Sequence, residues 1–425
     1  MVQPSHSPAD ERVAGVCPCR AEVLAALARV LDWPLGDQVP HHARVATIAA
    51  RLAAHLGGYD VRGVFYAALV HDIGLAIGGS DTARGPGLLD QANDPSVRCH
   101  PLIGAQVVGA VAGLFGAAHI ILDHHEWANG HGYPLGKAAD EIVPGAQVLR
   151  FADTCDLVLR EQPWPELIPC VHAARGRTVG QVESPVADAG VEVLGEPGLY
   201  AQLRSSPDVR LLVAGAIRRH GAEDVASTTG EVGGLLALFG QAADAHASDK
   251  IGHSRRVANL ASLVAMALGL AEADAAAARW AALVHDVGLV AAPRALLNKP
   301  GMLTEDELAQ VRRHATMPEM LFGPIRGLEE VGRIAAAHGE AFDGSGHPRG
   351  LAGRDIPIGS RILAVCDAFD ALTSRRPHRD ARPADLAIDI LYKASGSLFD
   401  PDVADAAAPV LLASAEGREP APAQA

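Results

Sequence analysis

A nine-residue segment occurs twice in this 425-residue chain, as AALVHDIGL at 67–75 and AALVHDVGL at 281–289, and the copies differ by one methylene. The repeat extends well beyond the segment. His71 to His100 and His285 to His314 are each 29 residues apart, His100 to His124 and His314 to His338 each 24, and His124 to Asp153 and His338 to Asp367 each 29. Upstream, HHARVATIAARLA (41–53) matches HSRRVANLASLVA (253–265), which sets His41 against His253; downstream, SPVADAGVEVL (184–194) resembles DPDVADAAAPVL (400–411). Self-similarity of this kind means two copies of one folding unit, each of about 175 residues. Packing explains why duplicated domains keep the same apolar positions. It gives no reason to keep polar His and Asp at matching spacings, so those residues are singled out for chemistry.

The units read as helical. Aromatic residues make up 4% of the chain, Ala and Leu are abundant, and β-branched runs bounded by turn residues are few, a balance that favours helix over strand. Apolar residues recur at spacings of three and four in Val45, Ile48, Leu52 and Leu56, and again in Val257, Leu260, Val264 and Leu268, one buried stripe per helix. Thr304 with Glu307 three residues on predicts a capping box opening a helix. The expected architecture is all-α: tandem bundles over 20–195 and 236–413, a helical linker over 196–235 with VRLLVAGAIRRHG followed by a polar hinge, ASTTGE, and a disordered Ala/Pro/Glu-rich tail over 414–425.

A formal charge of −14 opposes binding to a nucleic-acid polymer and leaves a small anionic substrate held by metal ions open. The six cysteines are scattered; only Cys17 and Cys19 are close, at a spacing too short for a usual zinc knuckle, so they read as reduced thiols. No apolar run reaches the length of a membrane span, and MVQPSHSPADER has an acidic start where a signal peptide needs a basic one. These features predict a cytoplasmic protein with no membrane partner. They leave a protein partner or a homo-oligomer open.

Imidazole nitrogens and carboxylate oxygens suit hard or borderline divalent ions, and an Asp following a His can bridge two ions through its two oxygens. Asp72 and Asp286 are those residues and the central catalytic candidates. Each half offers an early His, the His-Asp pair, two further His and a late Asp. That is enough for two metals about 3.5–4 Å apart, the spacing of two-metal phosphoryl-transfer sites. The expected chemistry is attack on phosphorus by a metal-activated water, without a side-chain nucleophile.

The segments HD at 285–286, KPGMLTEDE at 299–307, HGEAFDGSGHP at 338–348 and RILAVCDAFDALTSRRP at 361–377 resemble the HD-GYP subfamily of HD-domain metal-dependent phosphohydrolases, largely cyclic di-GMP phosphodiesterases. The first half is similar more loosely, through HD at 71–72, HHEWANGHGYP at 124–134 and VLRFAD at 148–153. The resemblance implies two HD-domain bundles. By position it implies metal ligands His41, His71, Asp72, His100, His124, His125 and Asp153 in the first half, and His253, His285, Asp286, His314, His338 and Asp367 in the second. Asp37 and Asp249, four residues before each early His, are the candidates for a third metal; Fe or Mn are the expected ions, although a His/Asp set also accepts Ni or Zn. Tyr133, His347, Arg376 and Arg379 are the implied substrate contacts.

The departures matter too. The family's phosphate-binding lysine of HDxGK is Leu75 in one half and Leu289 in the other, and an apolar side chain cannot replace that cation. His-His-Glu survives at 124–126 but becomes His338-Gly339-Glu340, the tyrosine of the GYP motif becomes His347, and the Arg-Pro segment near 376–379 aligns with Gln162 to Pro165. The leading expectation is a phosphodiesterase acting on cyclic di-GMP or a related nucleotide. Its alternatives are a degenerate relative that binds nucleotide or a partner without turnover, and one active half with a regulatory partner half.

Overall fold

The computed structural model describes residues 17–35, 40–78, 94–161, 167–196, 224–226, 228–247, 250–375 and 380–417, with short stretches between 198 and 219. Two compact units divide the chain, one running from Cys19 to Val225 and the other holding Ala226 to Ala425. Both are helical. Among the described residues there is no strand, only isolated bridges. About half of the expected linker at 196–235 lies outside the described residues, and its end is already helix, with Thr228 of the expected hinge capping the helix that begins at Thr229; at the C-terminus, Ser414 and Ala415 still belong to the last helix and 418–425 lie outside.

The first unit contains α1 (Arg20–Asp32), α2 (His41–Leu56), α3 (Val61–Val70), α4 (His100–Gly109), α5 (Phe115–Asp123), α6 (Pro144–Glu161), α7 (Leu167–Arg177) and α8 (Ser184–Leu194). The sequence stripe on α2 is the core: Val45, Ile48 and Leu52 are fully buried, each contributing roughly 1.5–3 kcal/mol relative to exposure. The second unit contains α9 (Thr229–His246), α10 (His253–Ala267), α11 (Glu272–Val284), α12 (Glu305–Arg312), α13 (Met317–Phe322), α14 (Glu329–Ala336), α15 (Ile358–Thr373), α16 (Ala384–Lys393) and α17 (Pro401–Ala415). Val257, Leu260 and Val264 form the matching stripe on α10. Thr304 caps α12 with the predicted box: its side chain accepts from the Glu307 backbone, and Glu307 reaches back to the Thr304 N–H.

In each unit the candidate ligands lie at helix ends. His41 and His253 open α2 and α10; His71 and His285 follow the last residues of α3 and α11; His100 opens α4, and His124 follows α5. His314 sits in the turn after α12, and His338 just beyond α14. Asp153 and Asp367 are carried mid-helix by α6 and α15. The turn after each His-Asp pair passes so close to the third histidine that a Cβ on Gly74 would lie 2.0 Å from the His100 carbonyl oxygen, and one on Gly288 2.4 Å from that of His314. Only glycine allows this approach.

Candidate metal centres

Each imidazole is fixed by the helix end that carries it. The Nδ1 atoms of His71, His100 and His124 donate to the carbonyls of Ala68, Val97 and Ile121 at 3.0, 2.6 and 2.6 Å. Those of His285, His314 and His338 donate to Ala282, Val311 and Ala335 at 2.8, 2.7 and 2.7 Å. In every case the acceptor is three residues back, in the turn of chain that leads into the histidine. With the proton held on Nδ1, Nε2 presents its lone pair inward, the tautomer a metal ligand needs.

The early histidines are oriented differently. Asp156 accepts from His41 Nδ1 at 2.7 Å and Asp370 from His253 Nδ1 at 2.8 Å, and each carboxylate is gripped in turn by an arginine of the same early helix, Arg44 or Arg256. The sequence reading missed all four residues. The signal was present: Asp156 and Asp370 stand in the register of Asp153 and Asp367, and Arg44 and Arg256 in that of His41 and His253.

The converging atoms divide around one aspartate. In the first unit, His41 Nε2 and His71 Nε2 lie 3.8 and 3.5 Å from Asp72 Oδ2, and 3.7 and 3.9 Å from Asp153 Oδ1. His100 Nε2 and His124 Nε2 lie 3.4 and 3.9 Å from the other oxygen, Oδ1. The second unit repeats the division: His253 and His285 face Asp286 Oδ2 at 3.8 and 3.5 Å, His314 faces Oδ1 at 3.5 Å, and His253 lies 3.3 Å from Asp367. Four donor groups result, each with its atoms within 4.8 Å of one another: His41, His42, His71 and Asp72; Asp72, His100, His124 and His125; His253, His285 and Asp367; and Asp286, His314 and His338.

These groups fit a divalent ion on their own chemistry. The Nε2 atoms of His71 and His285 are buried with no hydrogen-bond partner, a costly arrangement unless a cation takes the lone pair. His100 Nε2 and His124 Nε2 stand 3.2 Å apart, and His314 Nε2 and His338 Nε2 3.1 Å. With Nδ1 protonated in each ring, lone pairs face one another, and a cation at that focus turns repulsion into ligation.

The electrostatics agree for six of the rings. Burial pushes the His100, His124, His125, His285 and His314 imidazoles below their ordinary range, and His338 to about 4, so these rings are neutral near pH 7. Burial would raise the Asp72 carboxyl, but His71 and His100 outweigh it; Lys250 and His285 do the same for Asp286. Two rings go the other way: burial lowers His71 and His253, yet Asp72 and Asp153 prevail at His71 and lift it above its ordinary value, and Asp367 and Asp370 prevail at His253 and lift it to about 9.

Two walls differ between the units. His125 stacks on Tyr133 with centroids 4.7 Å apart and planes at 15°, and the Arg98 guanidinium lies 5.0 Å from the tyrosine ring centre. In the second unit Gly339 replaces His125, and a Cβ there would come within 2.7 Å of His347 Cε1. The His347 ring therefore occupies the vacated space without joining a donor group. Lys250 instead approaches the second site, its ammonium paired with Asp286. What both loops share is a hydrogen-bonded carboxylate: Glu126 accepts from the backbone of Leu135 and Lys137, and Glu340 from that of Arg349 and Leu351. Asp37, Asp249, Arg376 and Arg379 lie outside the described residues.

An HD-domain family model matches residues 40–157, and a second HD-domain model matches 238–403. The chain belongs to the HD-domain family, with one HD domain in each half. Among curated proteins it is 46% identical over 153 residues to the cyclic di-GMP phosphodiesterase response regulator RpfG of Xanthomonas campestris, covering 36% of this chain and 40% of that one. It is 38% identical over 168 residues to 3'3'-cGAMP-specific phosphodiesterase 3 of Vibrio cholerae, covering 40% and 36%. The chain thus spans about two fifths of the length of these relatives. A longer match, 27% identical over 400 residues and covering 89% of each chain, joins it to 3'3'-cGAMP-specific phosphodiesterase 1 of V. cholerae. The fold is that of a crystal structure of a cyclic GMP-AMP specific phosphodiesterase from V. cholerae, with a TM-score of 0.63 and 22% identity over 93% of this chain and 98% of that one. No described helix is long and apolar enough to cross a membrane.

Proposed function

We propose that the protein is a metal-dependent phosphodiesterase that hydrolyses a cyclic dinucleotide, with Fe or Mn as the metal and two ions per site. The observation that carries this reading is the pair of facing Nε2 lone pairs in each unit, set against an aspartate whose two oxygens address different histidines. In the first unit His41, His71, Asp72 and Asp153 would hold one ion, and Asp72, His100, His124 and His125 the other. In the second, His253, His285, Asp286 and Asp367 would hold one, and Asp286, His314 and His338 the other. Divalent ions there supply a water of lowered pKa and a cationic seat for phosphoryl oxygens. The chain's own residues hold His100, His124, His125, His285, His314 and His338 neutral, keep the protons of the histidines bonded to backbone carbonyls on Nδ1, and anchor the early histidine through Asp156 or Asp370. Substrate class follows from the relatives, which are named for cyclic di-GMP and 3'3'-cGAMP.

Purified protein incubated with Mn²⁺ or Fe²⁺ and either cyclic di-GMP or 3'3'-cGAMP should release the linear dinucleotide or mononucleotides. No product above background from both substrates would overturn the proposal. A second reading, nucleotide binding without turnover, draws on Leu289, a buried side chain where the resemblance places a phosphate-binding lysine. Calorimetric binding with no product would select it.

A further inference from the structure

His42 has no counterpart in the second unit, where Ser254 follows His253, and no ligand role attaches to it in the sequence pattern. It is nevertheless buried, with 2% of its surface exposed, and one ring nitrogen lies within 4.8 Å of donor atoms of His41, His71 and Asp72. Its ring centre is 4.9 Å from those of both His41 and His71. Nδ1 is occupied: it sits 2.6 Å from Asp32 Oδ1. Nε2 is buried with no hydrogen-bond partner. A carboxylate behind one ring nitrogen and an unfilled lone pair on the other is the outer arrangement of a ligating histidine, and the same construction serves His41 through Asp156.

We propose that His42 is an additional metal ligand of the first site, oriented by Asp32, so that this site holds its ion with one more imidazole than the second. The proposal rests on the reading of these clusters as metal centres. A purely structural His42–Asp32 pair would fill the same volume, but it leaves Nε2 unused beside a cluster of donors. The second unit shows what that structural version looks like: Ser254 Oγ donates to Asp244 Oδ1 at 2.7 Å and nothing reaches the donor group.

That contrast supplies the test. His42→Ser should recreate the Asp–Ser pair of the second unit and so preserve folding. The full-length chain is used with Asp286→Ala, which removes the aspartate shared by both groups of the second unit, as background, so that metal bound reports the first site, and Mn²⁺ affinity is measured by titration. His42→Ser should weaken it 10–100-fold, the range typical when ligand-supporting groups are lost. In Co²⁺-loaded protein the same substitution should remove one hyperfine-shifted imidazole N–H signal. Unchanged affinity and an unchanged signal set, in a protein where His71→Ala abolishes binding, would overturn the role of His42 alone. If His71→Ala also left Mn²⁺ binding intact, the metal-centre reading would fall and this proposal with it.

Discussion

The two HD units share a frame and differ at a wall. In both, imidazoles are tethered to carbonyls three residues back, one aspartate divides its oxygens between two groups of histidines, and a carboxylate held by arginine braces the early histidine. The first unit then adds His42 and His125, the latter stacked on Tyr133; the second has Ser254, Gly339 and His347, and brings Lys250 onto Asp286. Donor geometry and wall chemistry are thus separable in this fold. A helix end fixes a histidine whatever lies opposite, while the loop across the site changes its side chains over an unchanged backbone.

The strongest way to break that comparison lies in the shared loop. A Cβ on Gly132 would lie 2.3 Å from the Trp127 backbone nitrogen, and one on Gly346 2.1 Å from that of Ala341. Backbone cannot give way as a side-chain tip can. Gly132→Ala and Gly346→Ala should each destabilise their own unit by more than the roughly 1–3 kcal/mol of ordinary overpacking, read as a lowered unfolding midpoint. A mild effect in one unit only would show that the loops are not built alike.

A smaller difference should emerge with pH in metal-free protein. His253 is raised from 6.5 to about 9 in the folded state. Its contribution is therefore fully present below pH 6.5 and lost as pH rises through 9, an upper bound of roughly 3 kcal/mol for the second unit. His42 is lowered, by burial first and then by His71, to about 3. Since the unfolded ring takes up a proton below pH 6.5 and the folded one does not, His42 takes stability from the first unit as pH falls from 6.5 towards 3, while its partner Asp32, raised by burial to about 8, returns stability as pH falls from 8 towards 3.8. Denaturant unfolding in chelator across both ranges, with Asp32→Asn to isolate the His42 contribution, checks the opposite slopes of His253 and His42; slopes of one sign in that variant would contradict the electrostatic contrast.

Much of this was legible in the sequence because duplication filters noise. The fixed spacings of His71, His100, His124 and Asp153 against their partners marked the converging residues, and the stripes on α2 and α10 marked the buried faces. The capping box at Thr304 is local chemistry and needed no tertiary information. Asp156 and Asp370 were hidden only because they act through His41 and His253, and a motif search seeks ligands rather than their supports. His42 could not be read at all, because without a matching residue in the other half a buried histidine is indistinguishable from a packed one until its unpartnered nitrogen is seen. The filling of Gly339's space by His347 is likewise tertiary, set by how the loop folds back.

The central claim is that each half carries its own metal centre. Metal content by plasma mass spectrometry on the intact chain, with His71→Ala, His285→Ala and the double variant purified alongside, tests it most directly. Each single variant should lose metal from its own half and keep that of the other, and the double variant should lose metal from both. Undiminished metal in both single variants would contradict it.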